Sequence, residues 1–153
     1  MLNDIYNKRI LALAADIPRL GRLPEPHGSA VERSKLCGSM VTVDLRLDGD
    51  LVSDFAHDVK ACALGQASSS IMARAVVGAS AGELKAVRDA VRAMLKEGAE
   101  IPGDLGPDGR WKDLAVLAPV RDFKARHAST LLTFDAVVRA VEEAMRREDA
   151  KAS

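Results

Sequence analysis

The chain has 153 residues, which is the size of one folded domain and is too short for two ordinary ones. Its 22 lysines and arginines balance 22 aspartates and glutamates, which argues against a general nucleic-acid binder or a binder of anionic membranes, since both need a basic excess. No stretch approaches the roughly 20 apolar residues of a membrane span, and the first residues lack the pattern of a signal peptide, so we expect a soluble cytoplasmic protein.

The first predicted elements are a helix and a loop. Apolar residues recur at a helical spacing within residues 2–15, and Pro18 ends that segment. Residues 19–28 contain two prolines and two glycines, a composition that is typical of a loop.

A small antiparallel sheet is predicted next. Apolar and polar residues alternate within residues 40–47, with Asp44 among the polar positions, which indicates a half-buried strand. The dipeptide at residues 48–49, Asp-Gly, favours a tight hairpin turn, and residues 51–59 return as the second strand of the hairpin. Residues 29–36 are predicted to form a third strand.

Two amphipathic helices are predicted after Cys62. The first has an apolar stripe over residues 64–76 and ends at Gly78. The second begins at residues 80–83, Ser-Ala-Gly-Glu, which form a capping-box sequence. Gly98 stands where a glycine commonly ends a helix.

The remaining residues are predicted to form a loop over residues 98–110, a short helix over 111–117 and a last helix over 127–145. The predicted fold is α+β, with a small three-stranded antiparallel sheet packed on one face by about five helices. We expect residues 1–145 to form one domain and residues 146–153 to be a polar, frayed tail.

The two cysteines are candidate metal ligands or nucleophiles. Cys37 precedes Gly38, which permits a sharp turn and leaves the thiol accessible. Cys62 is placed at the start of a predicted helix, where backbone amides stabilise a thiolate. The alternative is that both are small buried hydrophobic residues, as free cysteines commonly are. The chain has no Cys-x₂-Cys pair, so a zinc finger is not indicated.

Histidine adds a third candidate, because His127 lies at the predicted start of the last helix. His57 lies at the end of a strand beside Asp58, and His27 lies in a proline-rich loop where we expect it to be solvated. The sequence has no Gly-x-Ser-x-Gly motif and no phosphate-binding glycine loop, so neither a serine hydrolase nor a nucleotide-binding site is indicated.

Four motifs, in their order along the chain, resemble one known family. Residues 17–23, Ile-Pro-Arg-Leu-Gly-Arg-Leu, are similar to the Asn-Pro-Arg-Asn-x-Gly segment of that family. Cys37-Gly38 precedes an Asp-Gly hairpin, and Cys62-Ala63 opens a helix rich in serine and alanine. Residues 117–121, Leu-Ala-Pro-Val-Arg, are similar to a segment that some members offer to a chaperone. The family is that of the U-type iron–sulfur cluster assembly scaffolds, the NifU-like N-terminal domain, and the resemblance covers nearly the whole chain.

The chain departs from this family at two ligand positions. Members usually carry Cys-Gly-Asp at the first ligand site, and here Ser39 stands in place of the aspartate. They also carry a third cysteine before the last helix, and the alignment places Ser129 there, with His127 two residues earlier. The resemblance therefore implies Cys37, Cys62 and His127 as metal ligands, with Ser39 and Ser129 lining the same pocket. A hydroxyl replaces a thiolate poorly on a soft metal.

The resemblance implies a non-enzymatic scaffold or carrier that binds iron, a labile [2Fe–2S] cluster or zinc, and that accepts sulfur from a cysteine desulfurase. A chaperone and apo iron–sulfur proteins are the other implied partners, and a homodimer would supply four cysteines to one cluster. Two alternatives stay open. The first is a degenerate paralogue that regulates the desulfurase without binding a cluster, and the second is a thiol protein that takes up persulfide sulfur.

Overall fold

The computed structural model describes residues 7–36 and 38–152, so residues 2–6 of the first predicted helix lie outside the described residues. The first described helix, α1, is Lys8–Ala15. It begins at Asn7, whose side chain accepts a hydrogen bond from the Ile10 amide. The loop predicted after α1 is present, and it leads to the sheet.

The predicted three-stranded antiparallel sheet is confirmed, with strands β1 (Gly28–Arg33), β2 (Met40–Asp48) and β3 (Leu51–Lys60) in that spatial order. The alternating apolar residues of β2 face the core and are fully buried; they are Val41, Val43 and Leu45. The third predicted strand is shorter than expected, because β1 ends at Arg33 and does not reach residue 36.

Two of the predicted helices follow the sheet as α2 (Ala63–Ala75) and α3 (Ala81–Glu97). The predicted start of α3 is confirmed, since the Ser80 hydroxyl accepts a 3.1 Å hydrogen bond from the Glu83 amide. The predicted end is confirmed as well, because Gly98 takes a φ of 73°, a left-handed conformation that costs glycine little.

Three 3₁₀ segments follow α3 and precede the last helix; they are Pro107–Gly109, Lys112–Asp122 and Lys124–Arg126. The short helix predicted for residues 111–117 is therefore a 3₁₀ helix that continues to Asp122. Trp111 anchors its start, because the buried indole donates a 2.7 Å hydrogen bond to the Glu83 carboxylate on α3.

The last helix, α4, is His127–Ala152 and packs across β1 and β2. The last helix, which was predicted to end at residue 145, continues to Ala152, through residues that were expected to form a polar tail. Arg147 contacts residues on both sides of this part of the helix. Its Nε lies 3.1 Å from the Glu143 carboxylate one turn earlier, and its Nη1 donates a 3.3 Å hydrogen bond to the His27 carbonyl oxygen in the loop before β1.

Helices gather on one face of the sheet, so the core lies between that face and α4, as expected for this α+β fold. None of the helices within the described ranges combines the length and the apolar character needed to cross a bilayer.

Candidate metal centre

The candidate site lies at the end of the sheet where β2 begins and β3 ends. Met40 pairs with Lys60 across these two strands. Residues 38–39 directly precede β2 and residues 61–62 directly follow β3, so the sheet places both segments at the same end.

Two backbone hydrogen bonds join the described residues at the ends of the loop between β1 and β2. The Ser34 amide donates a 2.8 Å hydrogen bond to the Ser39 carbonyl oxygen, and the Gly38 amide donates a 3.0 Å hydrogen bond to the Ser34 carbonyl oxygen. Gly38 has a φ of 72°, in the left-handed region that favours glycine, and Ser39 is buried. Cys37, the first predicted ligand, lies outside the described residues.

Cys62 is the residue at which α2 begins, as the sequence predicts. Its side chain makes no capping hydrogen bond to the helix, and it is partly exposed. Its thiol donates instead to the Ser129 hydroxyl on α4, with the sulfur 3.7 Å from the oxygen. The buried Ser129 hydroxyl in turn donates a 3.2 Å hydrogen bond to the Arg126 carbonyl oxygen. The structure thus brings the second predicted ligand and the serine at the third cysteine position together, with an oxygen lone pair facing the sulfur.

His127 is the first residue of α4 and is buried. Its Nε2 lies 3.1 Å from the Val120 carbonyl oxygen and 3.0 Å from the Arg121 carbonyl oxygen. Both neighbours are acceptors, so Nε2 carries a proton and donates. Only Nδ1 of His127 remains to bind a metal ion.

Among residues 7–36 and 38–152, no three His, Cys, Asp or Glu side chains are grouped so that they could hold a metal ion. The donor that the structure places beside the Cys62 thiol is the Ser129 hydroxyl. Thiolates are preferred ligands of soft metals, and Cys37 is the other cysteine of the chain.

His57 is a core residue of β3 with no exposed surface. Its Nε2 lies 2.8 Å from the Pro18 carbonyl oxygen, and its ring centroid lies 5.0 Å from that of Phe55. Burial lowers the pKa of His57, and the Pro18 carbonyl and the Asp58 charge offset this effect only in part. The imidazole is therefore neutral, and it ties the segment after α1 to the sheet.

His27 is not simply solvated, contrary to expectation. It is partly buried, and its Nδ1 accepts a 2.8 Å hydrogen bond from the Leu47 amide. This contact joins the loop before β1 to the end of β2, which is a structural role.

Asp44 is a buried charge that the alternating pattern of β2 does not reveal. Its carboxylate has no exposed surface and accepts hydrogen bonds from the Arg22 guanidinium (2.6 and 3.1 Å), the Leu23 amide (3.1 Å) and the Ser29 hydroxyl (2.6 Å). Burial alone would raise the pKa of Asp44, but these hydrogen bonds and the Arg22 charge outweigh it and hold the pKa below 3.8. Asp44 therefore fastens the loop before β1 to the sheet.

The segment that resembles a chaperone-binding motif lies in the 3₁₀ helix Lys112–Asp122. Leu117 and Val120 are fully buried, so its apolar side chains belong to the core. Ala118 lines a cavity of about 330 Å³ together with Met94 and Ile101. This cavity lies beside the motif, and these three of its lining residues are apolar.

Comparison with known proteins places this fold in a family. The NifU-like N terminal domain model matches residues 5–130. The iron-sulfur cluster assembly scaffold protein IscU of Streptococcus pyogenes serotype M1 is 30% identical over 149 residues, covering 92% of this chain and 85% of that protein. The crystal structure of a nitrogen-fixing NifU-like protein (N-terminal) from Brucella abortus is 56% identical, with a TM-score of 0.89 over 95% of this chain and 97% of that one. A putative iron-sulfur cluster assembly scaffold protein for the SUF system from Fervidobacterium islandicum AW-1 shares the fold at 21% identity and a TM-score of 0.80, over 91% of this chain and 98% of that one.

Proposed function

The chain belongs to the NifU-like N-terminal domain family, and on that premise we propose that it is an iron–sulfur cluster assembly scaffold. Its cargo is iron or a labile [2Fe–2S] cluster, held through Cys37 and Cys62, with zinc as an alternative metal. The observation that carries this proposal is the contact between the Cys62 sulfur and the Ser129 hydroxyl, because the family resemblance assigns metal ligands to both positions.

The chemistry needs no catalytic residue from this chain. A cysteine desulfurase presents a persulfide, a scaffold thiolate attacks its outer sulfur, and the desulfurase cysteine leaves as a thiolate. The transferred sulfur remains on the scaffold cysteine as a new persulfide, and an external reductant supplies the two electrons that cleave its S–S bond and release the sulfur as sulfide for the cluster. Apo iron–sulfur proteins then receive the assembled cargo in the cytoplasm, and a chaperone is a further partner.

His127 supports the proposal as a ligand through one atom only. Because its Nε2 donates to the Val120 and Arg121 carbonyl oxygens, a bound metal ion is reached by Nδ1. Such a hydrogen bond to the second ring nitrogen fixes the orientation of a metal-binding histidine.

A second candidate function is an adaptor that contacts the desulfurase and binds no cluster. The specific observation in its favour is that Ser39 and Ser129 are both buried hydroxyls at positions where the family carries an aspartate and a cysteine. The pocket is then retained while two of its anionic ligands are lost.

Anaerobic reconstitution separates the two functions. The full chain is incubated with a cysteine desulfurase, cysteine, ferrous iron and a reductant, and its absorbance, iron and acid-labile sulfide are measured. The scaffold function predicts a coloured protein, loss of colour in Cys62→Ala, and no change in Ser53→Ala, which alters an exposed serine of β3. A native chain with no more iron or sulfide than Cys62→Ala would contradict it, and retained desulfurase binding would then favour the adaptor.

A further inference from the structure

Gly65 occupies the first turn of α2, three residues after Cys62, at a place with no room for a side chain. A Cβ atom built on Gly65 would lie 2.7 Å from the Ala61 Cβ and 3.3 Å from the Ser129 carbonyl oxygen. Ordinary contacts between carbon atoms are about 3.5–4.0 Å. The Ala61 Cβ is fixed to the backbone and cannot rotate away, so a side chain at position 65 would displace the backbone on one side.

The start of α2 contacts the start of α4 through two residues, Cys62 and Gly65. Gly65 faces the backbone of Ser129, and Cys62 faces the side chain of Ser129 at 3.7 Å. A glycine inside a helix lowers helix stability relative to alanine. The chain accepts this cost at a position beside Ala61 and the Ser129 carbonyl oxygen.

We infer that Gly65 is a positioning residue, which sets the separation between Cys62 and the side chain at position 129. A side chain at position 65 would press against Ala61, the residue before Cys62, and more weakly against the Ser129 carbonyl oxygen, so it would shift the turn that carries Cys62 relative to α4. The inference rests on the proposed function only for the identity of the cargo. The distance between Cys62 and the side chain at position 129 is a property of the protein without any cargo.

The separation can be measured as the rate of disulfide closure between Cys62 and a thiol introduced by Ser129→Cys. Every variant also carries Cys37→Ala, so that these two thiols are the only pair in the chain. Oxidised glutathione is the oxidant: it forms a mixed disulfide with one thiol, and the second thiol displaces glutathione to close the intramolecular bond. Mass spectrometry of alkylated samples follows the closure.

We expect Gly65→Ala to slow this closure at least about tenfold, and Ala61→Gly added to it to restore the rate within about threefold. Gly82→Ala is the matched control, because Gly82 also lies in the first turn of a helix and a Cβ there would come no closer than 3.9 Å to its neighbour, the Ser80 hydroxyl. The control is expected to leave the rate unchanged.

Closure at the same rate in a folded Gly65→Ala variant would overturn the inference. If Gly65→Ala does not fold, the variant that also carries Ala61→Gly decides the matter. It supports the inference if it folds and closes at the restored rate, and it overturns the inference if it is unfolded or still closes tenfold more slowly.

A second readout extends the result to a metal ion. In chains that keep Cys37 and carry Ser129→Cys, cobalt(II) affinity is titrated through its thiolate absorption. We expect Gly65→Ala to weaken cobalt binding about tenfold and Ala61→Gly to restore it; equal affinity with and without Gly65→Ala would overturn the positioning role. Because disulfide closure requires no metal, a failure of the scaffold function leaves the closure rates unaffected.

Discussion

The sulfur of Cys62 lies 3.7 Å from the hydroxyl oxygen of Ser129, although the two residues belong to different helices. Cys62 begins α2 and Ser129 lies in the first turn of α4, so two helix N-termini converge on one point. The Ser129 proton is directed at the Arg126 carbonyl oxygen, 3.2 Å away, and the oxygen lone pairs face the thiol. A thiolate at position 129 would therefore stand beside Cys62 with little rearrangement.

Restoring the two missing anionic ligands should strengthen zinc binding. We expect Ser129→Cys combined with Ser39→Asp to raise zinc affinity by at least tenfold, which is about 1.4 kcal/mol, because each change adds a charged ligand to the pocket. Competition with a chromophoric chelator measures the affinity. Ser53→Cys is the control, since it adds a thiol at an exposed position of β3. Unchanged affinity in the double variant would favour the adaptor function.

The two ring nitrogens of His127 should have different roles, with Nε2 contributing to stability and Nδ1 to metal binding. His127→Gln keeps an amide donor near the Val120 and Arg121 carbonyl oxygens and removes the Nδ1 ligand, so it should weaken zinc binding with little loss of stability. His127→Ala loses both roles and should also lower the free energy of unfolding by about 1–2 kcal/mol. Urea unfolding and zinc titration of both variants test this. Native zinc affinity in His127→Gln would exclude histidine as a ligand.

Most elements of the fold follow from contacts that are local in sequence. The alternation around Val41 and Val43 sets the buried face of β2, and the hydrogen bond between Ser80 and Glu83 spans only one turn. The burial of Asp44 depends on Arg22, which lies far from it in sequence. A period-two pattern cannot distinguish such a buried carboxylate from a solvated one.

The candidate site likewise combines features that are local in sequence with contacts between distant segments. Cys62 at the start of α2 is a local feature and could be predicted from the residues that follow it. Its contact with Ser129 requires α2 to pack on α4, and only the family resemblance pointed to it. The direction of His127 Nε2 depends on the 3₁₀ helix Lys112–Asp122, which supplies both carbonyl acceptors and has no clear hydrophobic period.

Asp44 should make the chain sensitive to acid. Because the pKa of Asp44 is below 3.8 in the folded chain, the unfolded chain takes up the proton first as the pH falls. The stability from the ionised carboxylate is present above about pH 4 and is lost as the pH falls through the folded pKa. Asp44→Asn should lower the free energy of unfolding at pH 7 by about 1–3 kcal/mol, with a smaller difference near pH 3.

Denaturant unfolding at each pH measures this difference. Asp54→Asn is the matched control, because Asp54 is an exposed carboxylate of β3 that lies 3.9 Å from Arg46. It should change the free energy of unfolding by less than about 0.5 kcal/mol. An equal effect of the two variants at pH 7 would contradict the role assigned to Asp44.

His57 should make the free energy of unfolding depend on pH in a range above that of Asp44. Burial holds the pKa of His57 below 6.5, so the unfolded chain binds this proton first, and stability is lost as the pH falls from about 6.5 through the folded pKa. Titration of the imidazole by NMR should give a midpoint below 6.5. His57→Phe keeps an aromatic ring beside Phe55 and should reduce the loss of stability between pH 7 and pH 5. A midpoint at or above 6.5 would contradict this prediction.

Contacts within the chain engage a carbonyl group at each edge of the sheet. At the β1 edge, Arg139 Nη1 donates a 2.9 Å hydrogen bond to the Val31 carbonyl oxygen. At the β3 edge, the Gly21 amide donates a 2.8 Å hydrogen bond to the His57 carbonyl oxygen. Pairing of two chains through a sheet edge would break these contacts. We expect a cluster-bridged dimer to form instead at the end of the sheet that carries Cys62.

The cluster-loaded protein should be such a dimer, with one [2Fe–2S] cluster for two chains. One chain offers two cysteines, a cluster is commonly held by four protein ligands, and a two-fold axis brings Cys37 and Cys62 from each chain together. The partial exposure of Cys62 leaves it accessible to a second chain. Light scattering with iron and sulfide assays should give one iron per chain and a dimer mass, and Cys37→Ser should abolish both cluster and dimer. Two irons on a monomeric chain would refute the bridged dimer, because the cluster would then be held by the two cysteines of one chain together with His127 and a small thiol such as glutathione.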